Sequence, residues 1–249
     1  MPRFFVRSDA ICDDIITICG SDALHISRSL RMKTGDTVRV CDMQRTEYDC
    51  CITAFTSDTV TLRILSCHES QNEPPYLARL YMALPKGDKM ELIIQKAVEM
   101  GVGEIIPFRS ERSIVKLDDA AGEKKRQRWQ KIADAAAGQC GRGAIPEVFA
   151  PLSLDAAIAH ANSSELKFVC YEGEESFQLP ALLSASPSVP HSVSFFIGAE
   201  GGFSTGEVEK FRAASIPSVG LGARILRCET APLFVLSCLS YVWEISTES

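Results

Sequence analysis

Two glycine-rich stretches hold the residues with most chemical capacity. In "IGAEGGFSTGE" (197–207), Gly198, Gly201 and Gly202 surround one carboxylate, Glu200, directly after an apolar run. In "VGLGARILRCETAP" (219–232), Gly220 and Gly222 precede Arg224, Arg227 and Glu229. Glycine lets backbone amides and carbonyls approach a ligand closely. The G-x-G-x-x-G fingerprint is absent, no lysine completes a Walker A loop, and Glu200 would repel a phosphate. The expected ligand is therefore not a polyphosphate. The alternative is that the glycines only make tight turns. Ile225 and Leu226 lie between charged residues in a loop, a place that suits side chains covering something flat and apolar.

Strands and helices must hold these turns. "VSFFIG" is apolar almost throughout, as a strand covered on both faces is. Ser204 and Glu207 form an S-x-x-E box that starts a helix. The first turn is thus expected at the carboxyl end of a parallel strand, where open α/β sheets bind ligands. The second follows a short strand, "SVGLGA", and precedes a helix with Thr230 as its expected cap and Pro232 in its first turn. Two such turns in one sheet can wall a single pocket. Upstream, "ARLYMALP" and "VGEIIPFRS" read as strands around the helix "KMELIIQKAVEMG", which Gly101 ends. "EKKRQRWQKIADAAAGQCG" reads as a long helix, "LKFVCYE" as a strand and "APLFVLSCLSYVWEIS" as the last helix. This alternation predicts an α/β layer with a mainly parallel sheet.

The polar stretch "SCHESQNEPPY" (66–76) reads as a linker, dividing the chain into 1–72 and 73–249. Before it, "DTVRVCD", "YDCCITAF" and "TVTLRIL" alternate apolar and polar residues between turn signals, which suggests a small β-barrel. One helical piece, "DALHISRSLRM", has Asp22 as its expected N-cap and puts Arg28 and Arg31 on adjoining turns.

The 249 residues are 46% hydrophobic and 23% charged, with a net charge of −6, which mildly disfavours a nucleic-acid partner. Local basic clusters reverse that inference. One holds Arg28, Arg31, Lys33, Arg39 and Arg45, and the other lies between Arg109 and Lys131, so a phosphate-binding surface is expected. The ten cysteines show no C-x-x-C spacing, and "MPRFFVRSDAICDD" has charges inside any apolar run. Reduced thiols in a soluble cytoplasmic protein are expected, with no export signal, membrane span or metal cluster.

"IGAEGGFS" together with "LGARILRCETA" resembles the ribosomal small-subunit methyltransferase E family of the SPOUT methyltransferases. "HISRSLRMKTGDTVRVCD" is similar to its N-terminal RNA-binding module. "KGDKMELIIQKAVEMGVGEIIPFRSERSIVK" and "RWQKIADAAAGQCGRGAIPEV" are similar to its middle section. One departure is Ala199, where the family usually has proline. The resemblance implies a PUA-like barrel and an α/β domain with a deep trefoil knot, S-adenosylmethionine as methyl donor, a homodimer, and methylation of N3 of one uridine in 16S ribosomal RNA.

On that resemblance, the donor site comprises the backbone of Gly198, Gly202, Leu221, Gly222, Ile225 and Leu226. Leu84 adds a wall, and Glu200, Arg227, Thr230 and Ala231 complete the set. Arg227 and Glu229 are the candidate catalytic pair: an arginine near the uracil carbonyls would stabilise negative charge, and Glu229 could take a proton or orient a water. Alternatively the two pair with each other, or Glu229 serves the helix start. The amides of Gln95 and Gln139 could hydrogen-bond a uracil edge, with Arg142 in the same family-matching motif. Arg112 and Lys116, with Arg3, Arg28, Arg31 and Lys33 from the barrel, are expected on phosphate. Two other readings stay open: a SPOUT enzyme acting on a ribose 2′-hydroxyl or another base, and a ribosome-assembly factor that binds RNA without catalysis.

Overall fold

Period-two patterning builds the first of two units. The computed structural model describes residues 1–113, 118–186 and 188–246. One unit comprises Met1–Glu73 with Ala137–Ile145, and the other Pro74–Ala136 with Pro146–Ser249. The first unit contains a six-stranded sheet. Its strands are β1 (Arg3–Phe5), β2 (Ile11–Cys12), β3 (Ile15–Cys19), β4 (Thr37–Cys41), β5 (Thr46–Phe55) and β6 (Thr59–Glu69). They lie in the order β1-β4-β5-β6-β3-β2, with β1 parallel to β4 and every other pair antiparallel. Val38 and Val40 of β4 turn inward to meet Ile16, Ile18, Ile52 and Leu62, while Thr37 and Arg39 face outward.

The helix between β3 and β4 starts earlier than its sequence suggests. It is α1 (Gly20–Leu24), with Cys19 at the cap position and no side-chain cap bond. Asp22 lies in the first turn, where burial pushes its carboxyl up, so it is not the cap. A π-helical turn, His25–Ser29, continues the helix, and Arg31 closes the segment at φ 52°.

The second unit is built around parallel strands. Along the chain these and their helices are β7 (Leu77–Ala83), α2 (Lys89–Glu99), β8 (Val102–Arg109), α3 (Asp119–Cys140), β9 (Glu147–Val148), β10 (Leu152–Ser153), α4 (Leu154–Ala161), β11 (Leu166–Cys170), α5 (Leu179–Ser184), β12 (Ser192–Ile197), α6 (Thr205–Ala213), β13 (Ser218–Val219) and α7 (Ala231–Ser240). The strand order is β10-β8-β7-β12-β11-β13, all parallel, with β9 alongside β8. β12 is central and buried from Val193 to Ile197, which explains its unbroken apolar run. Its one buried hydroxyl, on Ser194, is 2.6 Å from that of Ser164. Phe196 stacks on Tyr81 with centroids 4.3 Å apart and meets Phe211 edge-on at 4.8 Å, so one aromatic cluster joins β7, β12 and α6.

The capping box forms. Ser204 Oγ accepts the Glu207 N–H at 3.2 Å, and Glu207 Oε2 accepts the Ser204 N–H at 2.9 Å. The other Glu207 oxygen accepts the Glu111 N–H at 2.8 Å, tying the start of α6 to the segment after β8. No helix among the described residues is long and apolar enough to cross a membrane.

Candidate functional site

The adjacency of β12, β11 and β13 brings together the loops that leave their carboxyl ends. These are residues 198–203, 171–178 and 220–230, and they wall one cavity of about 1150 Å³. Both glycine turns line it: Gly198, Glu200, Gly201 and Gly202 on one side, Gly220, Leu221 and Gly222 on the other. Ile225, Leu226, Arg227, Glu229 and Ala231 continue the second wall.

Each turn has a local cause. Gly202 takes φ +62° and donates its N–H to Ala199 O at 3.0 Å, so the turn closes with alanine in place of proline. The Glu172 carboxylate packs where a Cβ on Gly202 would stand. Arg112 donates from Nη1 to Gly201 O at 2.9 Å and braces the same turn. In the second turn, Gly220 N–H bonds to Phe177 O and Gly220 O accepts the Leu179 N–H. A Cβ on Gly220 would lie 2.5 Å from Glu174 O, so glycine is required by the close approach of the backbones. Gly222 has φ +98° and open space beside its Cα, and its N–H is taken by Gln178 Oε1 at 2.9 Å.

Carboxylates dominate the lining. Glu172, Glu174, Glu175, Glu200 and Glu229 face Lys89, Arg224 and Arg227. Lys89 Nζ lies 2.9 Å from Glu200 Oε1 and 3.3 Å from Glu229 Oε2. Burial pushes the Glu200 carboxyl up, but Lys89 and the backbone N–H groups of Glu200 and Lys86 outweigh it and hold the group below the usual carboxylate range. Glu229 is also lowered, first by its own backbone N–H, with burial opposing and Cys228 and Lys89 assisting. Burial, then the bond to Glu229, pushes the Cys228 thiol up to about 12. A Glu229 carboxyl lowered in this way is a poorer proton acceptor than a free one. Arg227 is 83% exposed and its guanidinium is 4.0 Å from Glu229, the outer limit of an ion pair, so it projects into solvent beside the cavity.

Several expected residues stand elsewhere. Leu84 does not line the cavity. It is buried, with its N–H on Phe108 O and its carbonyl accepting the Ser113 hydroxyl. Thr230 is also absent from the walls. It occupies the N-cap position of α7 with helical dihedrals and no side-chain cap bond, so its hydroxyl does not cap the helix. Arg142, expected on RNA, is 5% exposed and clamped to Glu73 by bonds of 2.8 and 2.7 Å. Arg3 is committed to Glu47 at 2.8 Å and to Arg142 O at 2.9 Å. Both arginines satisfy internal acceptors and leave the RNA-facing set. Arg28, Arg31 and Lys33 are exposed on the first unit, and Gln95 and Gln139 are exposed on α2 and α3. Arg112 is exposed but serves the first turn, and Lys116 lies outside the described residues.

Sequence reasoning missed Lys89, Gln178 and the acidic loop 172–175. A signal existed for Lys89: a cation at the first position of a helix opposes the helix dipole, which marks it for another partner. For the loop, the signal was "YEGEES" directly after a strand of the same parallel sheet.

Comparison with known proteins agrees with this architecture. Residues 72–240 match the model of an RNA methyltransferase domain, and residues 18–65 that of an RNA methyltransferase PUA domain. Ribosomal RNA small subunit methyltransferase E of Bacillus subtilis is 37% identical over 232 residues, 92% of this chain and 91% of the relative. The crystal structure of the methyltransferase E of Neisseria gonorrhoeae bound to S-adenosyl methionine superposes with a TM-score of 0.85, at 27% identity, over 98% of each chain. A Legionella pneumophila protein in complex with the cofactor SAM gives a TM-score of 0.82 at 30% identity over 96% of each chain.

Proposed function

The chain belongs to the ribosomal RNA small subunit methyltransferase E family, and from that premise we propose that it methylates N3 of a uridine in 16S ribosomal RNA with S-adenosylmethionine as donor. The observation that carries this reading is the single cavity walled by both glycine turns and lined by carboxylates. A cationic nucleoside fits it: the glycine backbone leaves room beside Gly222, and Glu172, Glu200 and Glu229 complement positive charge.

Gly198, Gly202, Leu221, Gly222, Ile225, Leu226 and Ala231 would hold the donor. Bound there, S-adenosylmethionine supplies an electrophilic methyl group on a positively charged sulfur. The remaining work falls to this chain's side chains. Arg227 is exposed beside the cavity, where a flipped-out uracil would enter. Its guanidinium stabilises the ring as an anion when the N3 proton leaves to solvent. Glu229, paired with Lys89 and bonded by the Cys228 thiol, positions the Lys89 ammonium and does not take that proton. The exposed Arg28, Arg31 and Lys33 would neutralise phosphates, and Gln95 and Gln139 would meet base edges.

The same reading includes a homodimer and a trefoil knot in the second unit. Leu92 of α2 is 48% exposed, and Phe234, Tyr241 and Ile245 on and after α7 are exposed as well, an apolar set that suits a second copy of the chain. Ten unpaired cysteines suit the reducing cytoplasm. The test is to incubate the protein with small ribosomal subunits and methyl-labelled donor, digest the RNA and identify the labelled nucleoside. N3-methyluridine is expected. Label on a ribose 2′-oxygen or another base would overturn the assignment.

A further inference from the structure

Lys89 reaches across the mouth of two loops that come from separated strands. Glu200 belongs to the turn after β12, and Glu229 to the segment after β13. β11 lies between those strands in the sheet. The Lys89 ammonium is 2.9 Å from one carboxylate and 3.3 Å from the other. Glu200 is tied a second time to the same loop, accepting the Lys86 N–H at 3.2 Å. Glu229 is tied to its own neighbour, accepting the Cys228 thiol at 3.2 Å. The first residue of α2 therefore spans both glycine walls.

We propose that Lys89 is a positioning residue that clamps the two walls of the donor cavity together. This rests on the cavity being the donor site. Like charges at short range repel in a partly desolvated site. With the ammonium removed, Glu200 and Glu229 would face each other unscreened, and the walls they carry would separate. The clamp also explains why a lysine stands at the first position of a helix, where the dipole disfavours it. Lys89 needs no contact with the base, so its removal acts on the donor alone. It shifts the cavity away from its competent arrangement and lowers the apparent affinity by the fraction lost.

Calorimetric titration of S-adenosylmethionine into wild type, Lys89→Met and Lys89→Arg tests this. Two partly exposed ion pairs are modest contributors, so Lys89→Met is expected to raise the donor Kd about three- to tenfold. Donor KM should rise with it while RNA KM stays unchanged, a split that general loosening of the fold would not give. Lys89→Arg, which keeps the charge, should recover most of the affinity. Glu200→Gln approaches the clamp from the other side. It should also raise Kd, and combined with Lys89→Met it should cost less than the product of the single effects. If Lys89→Met fails to fold, Lys89→Gln, which also removes the charge, takes its place and is expected to raise the donor Kd by the same factor. Equal donor affinity in wild type and the charge-removing variants would overturn the clamp alone. A wild-type protein that bound no donor would overturn the reading of the cavity, and the clamp with it.

Discussion

Gln178 and Gly222 are joined by a 2.9 Å hydrogen bond in which the side-chain carbonyl of Gln178 accepts the Gly222 N–H. Gln178 also donates from Nε2 to the carbonyl of Glu175 at 3.2 Å. One amide thus fastens the second glycine turn to the acidic loop after β11. Gln178→Ala should loosen that wall. A hydrogen bond of this kind is worth about 1 kcal/mol, so donor Kd should rise about fivefold, with melting temperature little changed. Calorimetry and thermal unfolding measure the two effects separately.

Arg227 and Gly222 should separate catalysis from binding. Arg227→Ala removes a side chain that is 83% exposed at the second wall and leaves that wall's backbone in place, so donor Kd should stay within about twofold while kcat falls about 10²-fold or more. Gly222→Ala forces an alanine to φ +98°, a strain of about 1–3 kcal/mol, and should raise donor Kd. Paired binding and steady-state measurements on the two variants check this contrast.

The buried pair Arg142–Glu73 is expected to matter for stability. Their side chains are 6% and 4% exposed. Arg142→Ala leaves the Glu73 carboxylate buried without its cation, at a cost of about 3–5 kcal/mol. Denaturant unfolding should show that loss. Arg28→Ala and Arg31→Ala, at exposed positions, should leave stability within about 0.5 kcal/mol and instead lower the salt slope of RNA binding by about one each.

Acid should unfold the first unit through Glu47 and Asp49. Burial pushes Glu47 up, but Ser70, Arg3 and Arg39 outweigh it, and Arg39 lowers Asp49. Both carboxyls therefore sit below their ordinary values of 4.5 and 3.8 in the folded chain. A depressed folded pKa contributes stability that is present above the ordinary value and lost as pH falls through the folded one. Melting temperature should hold above about pH 5 and drop below about pH 4. Glu47→Gln should flatten that drop, which thermal unfolding across pH measures.

Short-range features were legible in the sequence, and long-range pairings were not. The apolar run of β12, the Ser204–Glu207 box and the end of α2 at Gly101 each depend on residues within a few positions. The two glycine turns could be placed at strand ends for the same reason. Short elements such as β1, β2 and α5 carry too few residues for a period to show. The reassignment of Arg3 and Arg142 has a different cause. Their carboxylate partners lie 44 and 69 positions away, and a charged residue reads alike whether it meets phosphate or an internal acid. Lys89 was hidden by the same distance, since Glu200 and Glu229 become its neighbours only through the order of the sheet.

Calorimetric titration of S-adenosylmethionine into wild type and into one variant on each wall tests the shared cavity most directly. Gly202→Val drives a side chain into the Glu172 carboxylate on the first wall, and Gly220→Ala collides with Glu174 O on the second. Wild type should bind one donor per chain, and each variant should bind it at least about tenfold more weakly. Donor affinity equal to wild type in either variant, with the fold intact, would contradict a single donor cavity walled by both turns.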